Sequence, residues 1–180
     1  MASSRQSSIL VRNAQLNDAA QVAKLGSFVF SASFGHSVEP HELQTYLDES
    51  YSVTATAADI SNPQKDMIVA AKEGNEEIIA FALLTRGTSE PCVQHLQNTV
   101  ELQRIYVHPS SHGQGIGKLL ADRLENMARG QKFQYIWLGV WEENHQAMKA
   151  YEKWGYRKIG EHDFTIGQIV QRDHILLKQL

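Results

Sequence analysis

The chain has 180 residues, of which 42% are hydrophobic and 21% are charged, and its formal net charge is -3 at pH 7. This composition predicts one globular domain with a sizeable core. It argues against disorder and against broad nucleic-acid binding, which requires a basic surface. The single cysteine, Cys92, excludes an internal disulfide and fits a reducing compartment.

The apolar runs and the first residues bear on location. No apolar run approaches the roughly 20 residues that span a bilayer. Residues 1–8 lack the apolar core of a signal peptide. We therefore expect a flexible tail over residues 1–8, one domain over residues 9–180, a cytoplasmic location and no membrane partner.

The chain after this tail begins with a predicted strand and a predicted helix. Residues 9–12 are typical of a short strand, and Asn17 and Asp18 can cap a helix that ends at Gly35. The expected apolar stripe of that helix consists of Val22, Leu25, Phe28, Val29 and Ala32.

A second helix and a hairpin follow. Pro40 suits the first turn of the helix, while residues 51–60 fit either a helix or a loop. Residues 67–72 and 77–86 are two apolar strands joined by a short polar segment, a pattern that predicts a hairpin.

The middle of the chain carries a glycine-rich turn. A strand over residues 100–107 stops at Pro109, and Gly113, Gly115 and Gly117 follow at every second position. The helix after this turn has its apolar residues at Ile116, Leu119, Leu120, Leu124, Met127 and Ala128. Bare amides at a helix N-terminus form an anion site suited to phosphate, although a glycine-softened loop has the same pattern.

The last part of the chain predicts strand, helix and a closing antiparallel pair. Residues 134–141 form an apolar run typical of a strand covered on both faces, and residues 144–154 predict a helix. Residues 156–161 and 169–177 complete the pattern. We expect one α+β domain with a mixed sheet.

Two further features suggest chemistry. Asn144, Ala147 and Tyr151 lie three and four residues apart, so they share one helical stripe. Glu101 lies on the central strand and could accept a proton, while the alternative is a solvated carboxylate at a strand end. Gly139, inside a bulky strand, indicates a bulge or a close backbone approach.

Strand, glycine turn, helix and the Asn144–Tyr151 stripe together resemble the acetyl-CoA core of the GNAT superfamily of N-acetyltransferases. In that family an Arg or Gln stands where His112 stands here, while Gly115 and Gly117 match. The runs 137–144, 160–162 and 170–173 look most like the PaiA-type polyamine acetyltransferases. The resemblance implies a single domain whose central, mostly antiparallel sheet has splayed middle strands flanked by helices.

The resemblance also implies roles for individual residues. Tyr151 would protonate the departing CoA sulfur, and Glu101 would be the base, directly or through a water. A backbone amide near Val107 is a candidate oxyanion donor. The residues expected to bind acetyl-CoA are Ile105, Tyr106, Val107, His112, Gly113, Gln114, Gly115, Ile116, Gly117, Lys118 and Asn144.

The predicted activity is acetyl transfer from acetyl-CoA to the primary amine of a small molecule by direct attack through a tetrahedral intermediate. By resemblance, the acceptor would be a polyamine. A protein or amino-acid amine, or a non-catalytic CoA-binding module, are the alternatives. We expect no metal, since His108 and His112 flank Pro109 and have no third ligand. No nucleic-acid partner is expected, and a homodimer stays open.

Overall fold

A computed structural model describes residues 8–74 and 76–180. The predicted tail, apart from Ser8, lies outside these residues. The carbonyl of Ser8 accepts a hydrogen bond of 2.9 Å from the amide of Glu73. The seven strands of the described chain are β1 Ile9–Asn13, β2 Lys65–Lys72, β3 Ile78–Thr85, β4 Thr99–Val107, β5 Tyr135–Trp141, β6 Arg157–Ile166 and β7 Ile169–Gln179. Its helices are α1 Ala19–Phe34, α2 Pro40–Ser50, α3 Val53–Ser61, α4 Ile116–Gly130 and α5 His145–Lys153.

The strands form one mixed sheet in the order β1-β2-β3-β4-β5-β7-β6. Every neighbouring pair is antiparallel except β4 and β5, which are parallel. β3 is buried along its whole length because helices cover both faces of the sheet there. The predicted α+β fold with one mostly antiparallel sheet is therefore confirmed.

The two central strands separate soon after they meet. β4 and β5 pair only where residues 99–101 lie beside residues 135–137, and in the described chain no further pairs join them. The remaining halves, which end at Val107 and Trp141, diverge and leave a gap in the sheet. The predicted splay of the middle strands is thus confirmed.

A β-bulge on β4 turns its side chains to new faces. Leu84 pairs with Leu102 and Leu83 pairs with Arg104, so Gln103 is the extra residue. Beyond the bulge, Ile105 packs in the core beneath α4 and α5. We call these two helices the back layer. Tyr106 packs on the opposite side with residues of α1, in what we call the front layer, made of α1 to α3 and the connection over residues 86–98.

Helix α1 packs through only part of the predicted stripe: Val22 and Leu25 are buried and Val29 packs against the core, whereas Phe28 and Ala32 are exposed. Phe28 is 50% exposed, whereas Phe30, which is absent from the predicted stripe, is 3% exposed. Val22, Gly26 and Phe30 follow one another at intervals of four residues and so lie on one helical face. Gly26 brings this face close to Tyr51, because a Cβ there would lie 2.5 Å from the Tyr51 ring.

Other local predictions are resolved by the structure. Residues of the ambiguous segment form α3, whose Ser52 cap accepts a hydrogen bond of 3.1 Å from the amide of Ala55. The closing strands extend beyond their predicted ends to Ile166 and Gln179. Leu119 of α4 is 44% exposed and does not belong to the core stripe. Among the described helices, none has the length and apolar character needed to cross a membrane.

Candidate active site

A cavity of about 770 Å³ lies at the gap between β4 and β5. Because the sheet is interrupted there, residues of both layers line the cavity. Its back wall includes Val107, Gly117, Ala147, Tyr151 and Trp154, and its front wall includes Phe34, Tyr46, Glu90, Trp137, His162 and Asp173. Two molecules that enter from opposite sides of the sheet can therefore meet in the gap.

The glycine turn forms one end of the back wall. Gly113 and Gly115 have φ angles of +74° and +76°, a left-handed conformation that side chains rarely adopt. Gly115 is the N-cap of α4, and a Cβ at either glycine would meet no atom within 4 Å. The space before the first amides of α4 is thus open, which fits a phosphate group.

Gly117 has a different role in the same turn. Its φ is not positive, and a Cβ there would lie 3.5 Å from the Trp154 ring and 3.8 Å from a methyl group of Val107. The missing side chain lets the start of α4 pack closely against α5 and the end of β4.

The polar side chains of the turn are engaged with the protein. Nε2 of His112 lies 2.9 Å from the carbonyl oxygen of Val107. Lys118 pairs with Asp122 one turn along α4. Gln114 is the one predicted cofactor-binding residue outside the cavity wall, and its Nε2 donates to the carbonyl of Ser110 at 3.4 Å. Backbone amides are therefore the freest donors at this turn.

Tyr151 lies within α5 and Asn144 is the N-cap of that helix, and both line the cavity. The Asn144 side-chain oxygen accepts a hydrogen bond of 3.1 Å from the amide of Ala147, so it caps the helix. Tyr151 is 8% exposed, and burial raises its pKa above the ordinary range. Its hydroxyl has no hydrogen-bond partner in the described parts of the chain, and the residue lines the cavity. A buried, neutral hydroxyl that forms no hydrogen bond within the described chain can donate a proton to a bound molecule.

Glu101 lies at the closed end of the gap, beside Trp137 of β5. Burial raises the pKa of its carboxyl, and the Glu90 carboxylate raises it further. The Thr88 hydroxyl, Lys65 and Arg104 act in the opposite direction. A carboxyl in this environment is a better proton acceptor than a solvated one, because its conjugate acid is weaker.

Three ionisable residues of the front wall were not predicted from the sequence. Nδ1 of His162 lies 3.0 Å from a carboxylate oxygen of Glu90. Asp173 is the cross-strand partner of His162 and is half-buried, and burial raises its pKa to about 6. The acidic residues Asp48, Glu49, Glu142 and Glu143 lie outside the cavity wall.

Arg104 adds a positive charge to the cavity. Its Nη1 donates to a carboxylate oxygen of Asp59 at 3.0 Å, and its guanidinium lies 4.7 Å from the centre of the Tyr51 ring. Asp59 also pairs with Lys65 at 2.6 Å, so one carboxylate is shared by two cations. The bulge at Gln103 brings Arg104 to this face, and no local sequence signal indicates such a bulge.

Aromatic rings complete the front wall. Trp141 lies 5.2 Å from Phe34 and 5.9 Å from His36, measured between ring centroids, and is partly exposed. Trp137 is a core residue that also lines the cavity. Within residues 8–74 and 76–180, no three His, Cys, Asp or Glu side chains are placed to hold a metal ion.

Comparison with known proteins agrees with this geometry. Residues 31–156 match the Acetyltransferase (GNAT) family. The chain belongs to this family. An uncharacterized N-acetyltransferase of Mycobacterium tuberculosis is 25% identical over 165 residues, which cover 92% of this chain and 99% of that protein. The resemblance seen in the sequence is therefore confirmed at the level of the superfamily.

Two further proteins are similar to this GNAT chain. The crystal structure of the PaiA N-acetyltransferase from Thermoplasma acidophilum in complex with coenzyme A has a TM-score of 0.76 and 20% identity, covering 96% of this chain and 99% of that chain. The spermine/spermidine N(1)-acetyltransferase of Bacillus subtilis is 28% identical over 75 residues, 41% of this chain and 49% of that protein.

The GNAT protein is an N-acetyltransferase with acetyl-CoA as its cosubstrate. The open turn at Gly113 and Gly115 fits the diphosphate, and the gap beyond it leads to Tyr151. The first amides of α4 would hold the diphosphate, while the diverging edges of β4 and β5 offer backbone groups to the rest of the molecule.

Proposed function

We propose that this N-acetyltransferase acetylates the primary amine of a small cationic molecule, with polyamines such as spermidine or spermine as the leading class. The observation that carries the proposal is the charge of the front wall of the cavity. Glu90, Glu101 and Asp173 contribute three carboxylates, and among the described lining residues of that wall only Arg104 has a permanent positive charge. Carboxylates and aromatic faces both attract ammonium groups.

The proposed chemistry uses residues on both sides of the sheet. An amine has a pKa near 10.4 and must lose a proton before it attacks. Glu101 would take this proton, directly or through a water. Tyr151 would donate a proton to the sulfur that leaves on the back side. A backbone amide near Val107 would stabilise the oxyanion, a contact often worth about 3 kcal/mol.

Arg104 supports a second candidate acceptor, an amino-acid-like amine. Its guanidinium lines the cavity, and the carboxylate of Asp59 is divided between it and Lys65. A carboxylate on the acceptor could pair with Arg104 while its amine approaches Glu101. A free polyamine has no such anion, so the two acceptor classes are distinguishable.

The test is a thiol-release assay with acetyl-CoA and a panel of amines that includes spermidine, butylamine and aspartate. We expect spermidine to have the highest kcat/KM, and its KM to rise with ionic strength because salt screens the attraction to carboxylates. Preference for aspartate would favour the amino-acid class. CoA binding without acetylation of any amine or protein would identify a non-catalytic module.

Two further properties belong to the same proposal. A cytoplasmic location agrees with the single cysteine, Cys92, which is a free thiol. A homodimer is the assembly to test, and sedimentation of the purified protein would distinguish it from a monomer. We also propose that the folded domain begins at residue 9.

A further inference from the structure

Asp173 carries a carboxylate that the protein itself leaves unpaired. On the neighbouring strand β6, Asp163 pairs with Arg172 at 3.3 Å and Glu161 pairs with Lys158 at 2.6 Å. In the described ranges, the carboxylate of Asp173 forms no ion pair and no hydrogen bond, although it is half-buried. A half-buried charge without a partner costs stability, so a structural role does not explain it.

Gly139 provides the space in which this carboxylate lies. A Cβ at Gly139 would be 3.2 Å from Oδ2 of Asp173, closer than ordinary contacts allow. Gly139 is exposed within a strand whose neighbours Leu138 and Val140 are buried, and it lies on the part of β5 that has separated from β4. The carboxylate therefore lies at the gap between β4 and β5, which connects the two faces of the sheet.

The surroundings of Asp173 are prepared for a polar occupant. Trp137 is 3% exposed and lines the same cavity, and its indole Nε1 has no hydrogen-bond partner in the described chain. A buried donor of this kind is normally satisfied, so an atom of a bound molecule or its water would complete the wall. Glu101 is the neighbour of Trp137 on β4, which brings a second carboxylate to the same side.

His162 and Glu90 hold the opposite side of Asp173. His162 is its cross-strand partner, and the 3.0 Å contact between His162 Nδ1 and Glu90 keeps that imidazole near the front wall. The proximity of Glu90 disfavours the ionised form of Asp173, as burial does, whereas His162 favours it. A bound cation would offset the effects of Glu90 and of burial, because it stabilises the ionised carboxylate.

We propose that Asp173 is the residue that binds the reacting ammonium of the acceptor, in a place that the missing side chain of Gly139 keeps open. Glu101, deeper at the closed end of the gap, then receives the proton. This inference rests on the proposed amine acetylation and assigns the two carboxylates separate tasks. Asp173 governs acceptor binding, Glu101 governs the rate of transfer, and Gly139 is a positioning residue.

The experiment compares the wild-type protein with Asp173→Asn, Gly139→Ala and the matched control Asp163→Asn, a carboxylate on β6 outside the cavity wall. Steady-state kinetics with spermidine and with butylamine separate KM from kcat. Calorimetry measures the binding of spermidine to the protein saturated with CoA. Binding of acetyl-CoA, measured separately, reports on the integrity of the back side.

We expect Asp173→Asn to raise KM for both amines and to weaken spermidine binding by about 10- to 100-fold, the usual effect of a lost charge-assisted contact. Affinity for acetyl-CoA and the kinetics of Asp163→Asn should not change. Gly139→Ala should shift KM in the same direction by a smaller factor, because the Asp173 carboxylate must move by a few tenths of an ångström. It carries the same test if Asp173→Asn does not fold.

Three results would overturn the inference in different ways. An active enzyme whose amine KM is unaffected by Asp173→Asn refutes the role of Asp173 and leaves the proposed function intact. If Asp163→Asn weakens amine binding as much as Asp173→Asn does, general electrostatic attraction explains the effect and a specific contact with Asp173 does not. A wild-type protein that binds CoA but neither binds nor acetylates any amine refutes both the inference and the proposed function.

Discussion

The ring Nε2 of His112 lies 2.9 Å from the carbonyl oxygen of Val107, so the residue that precedes the glycine turn is tied to the last residue of β4. With Nε2 protonated, the ring donates this hydrogen bond. His112 stands where other GNAT proteins have Arg or Gln, and here its contact fixes the turn instead of reaching outward. The anchoring of phosphate is therefore left mainly to the backbone.

Gly115→Val tests this backbone anchor. Valine resists the φ of +76° and would project into the open space before α4, so we expect acetyl-CoA affinity to fall by more than about tenfold. His112→Ala removes one hydrogen bond and should cost only a few-fold in affinity. Calorimetry on both variants provides the comparison.

Gly74→Val is the matched control for the glycine turn. Gly74 has a φ of +94° and open space around it, but it lies after β2, away from the cavity. It should lose stability as Gly115→Val does while it retains acetyl-CoA affinity. Unchanged affinity in folded Gly115→Val would remove the turn from the cofactor site.

Tyr151→Phe tests the proton donor of the back wall. Because burial raises the pKa of Tyr151, its hydroxyl stays neutral at physiological pH and can protonate the leaving sulfur. We expect kcat to fall by about 100-fold or more, with acetyl-CoA affinity retained. Tyr156→Phe is the control, since that hydroxyl donates to buried Glu125 at 3.3 Å and should affect stability instead. Equal kcat values for wild type and Tyr151→Phe, with chemistry rate-limiting, would contradict the assignment.

Glu101→Gln tests the proton acceptor by its pH dependence. The amine has an ordinary pKa near 10.4, so a base matters most below that pH. The carboxyl of Glu101, with its raised pKa, is an effective base only above its own pKa. The loss of kcat/KM in Glu101→Gln should therefore be largest near neutrality and shrink towards pH 10. A loss that is constant over this range would indicate a role in binding alone.

Asp173→Asn should stabilise the free protein at neutral pH. Burial raises the pKa of Asp173 from 3.8 to about 6, so the folded state binds the proton more tightly than the unfolded state. Ionisation of Asp173 therefore lowers the free energy of unfolding, and this destabilisation is absent below about pH 4 and complete above about pH 6. Asn removes that destabilisation. Thermal unfolding should show a Tm difference that grows from pH 4 to pH 7, and a constant difference would mean that ionisation of Asp173 is not its cause.

The sequence is most informative where structure depends on near neighbours. The hairpin of β2 and β3, the glycine turn before α4 and the helix α5 each depend on residues within a few positions, and each is predicted. The packing stripe of α1 is predicted only in part, since Val22 and Leu25 are buried as expected but Phe28 is not. Its line of contact passes through Gly26, which has no apolar side chain to reveal it, so the pattern indicates exposed Phe28 in place of buried Phe30.

The acceptor side of the site depends on long-range pairing and could not be found from the sequence. The register of β6 and β7 sets His162 beside Asp173, while Arg172 points to the other face and pairs with Asp163. Arg104 reaches the cavity only because the bulge at Gln103 changes the alternation of β4. The glycine at position 139 was a visible sign, but its neighbour Asp173 lies 34 positions further along the chain.

The divergence of β4 and β5 gives the sheet two inner edges in addition to its outer strands. An exposed edge is a row of peptide groups ready to pair with an extended chain, and proteins usually shield such rows. Here the inner edges face each other across the cavity, where a ligand that carries amide groups can act as a partial strand. Ligand occupancy and the cohesion of the two half-sheets are then thermodynamically linked, so that acetyl-CoA contributes to the stability of the folded enzyme as well as to its reaction.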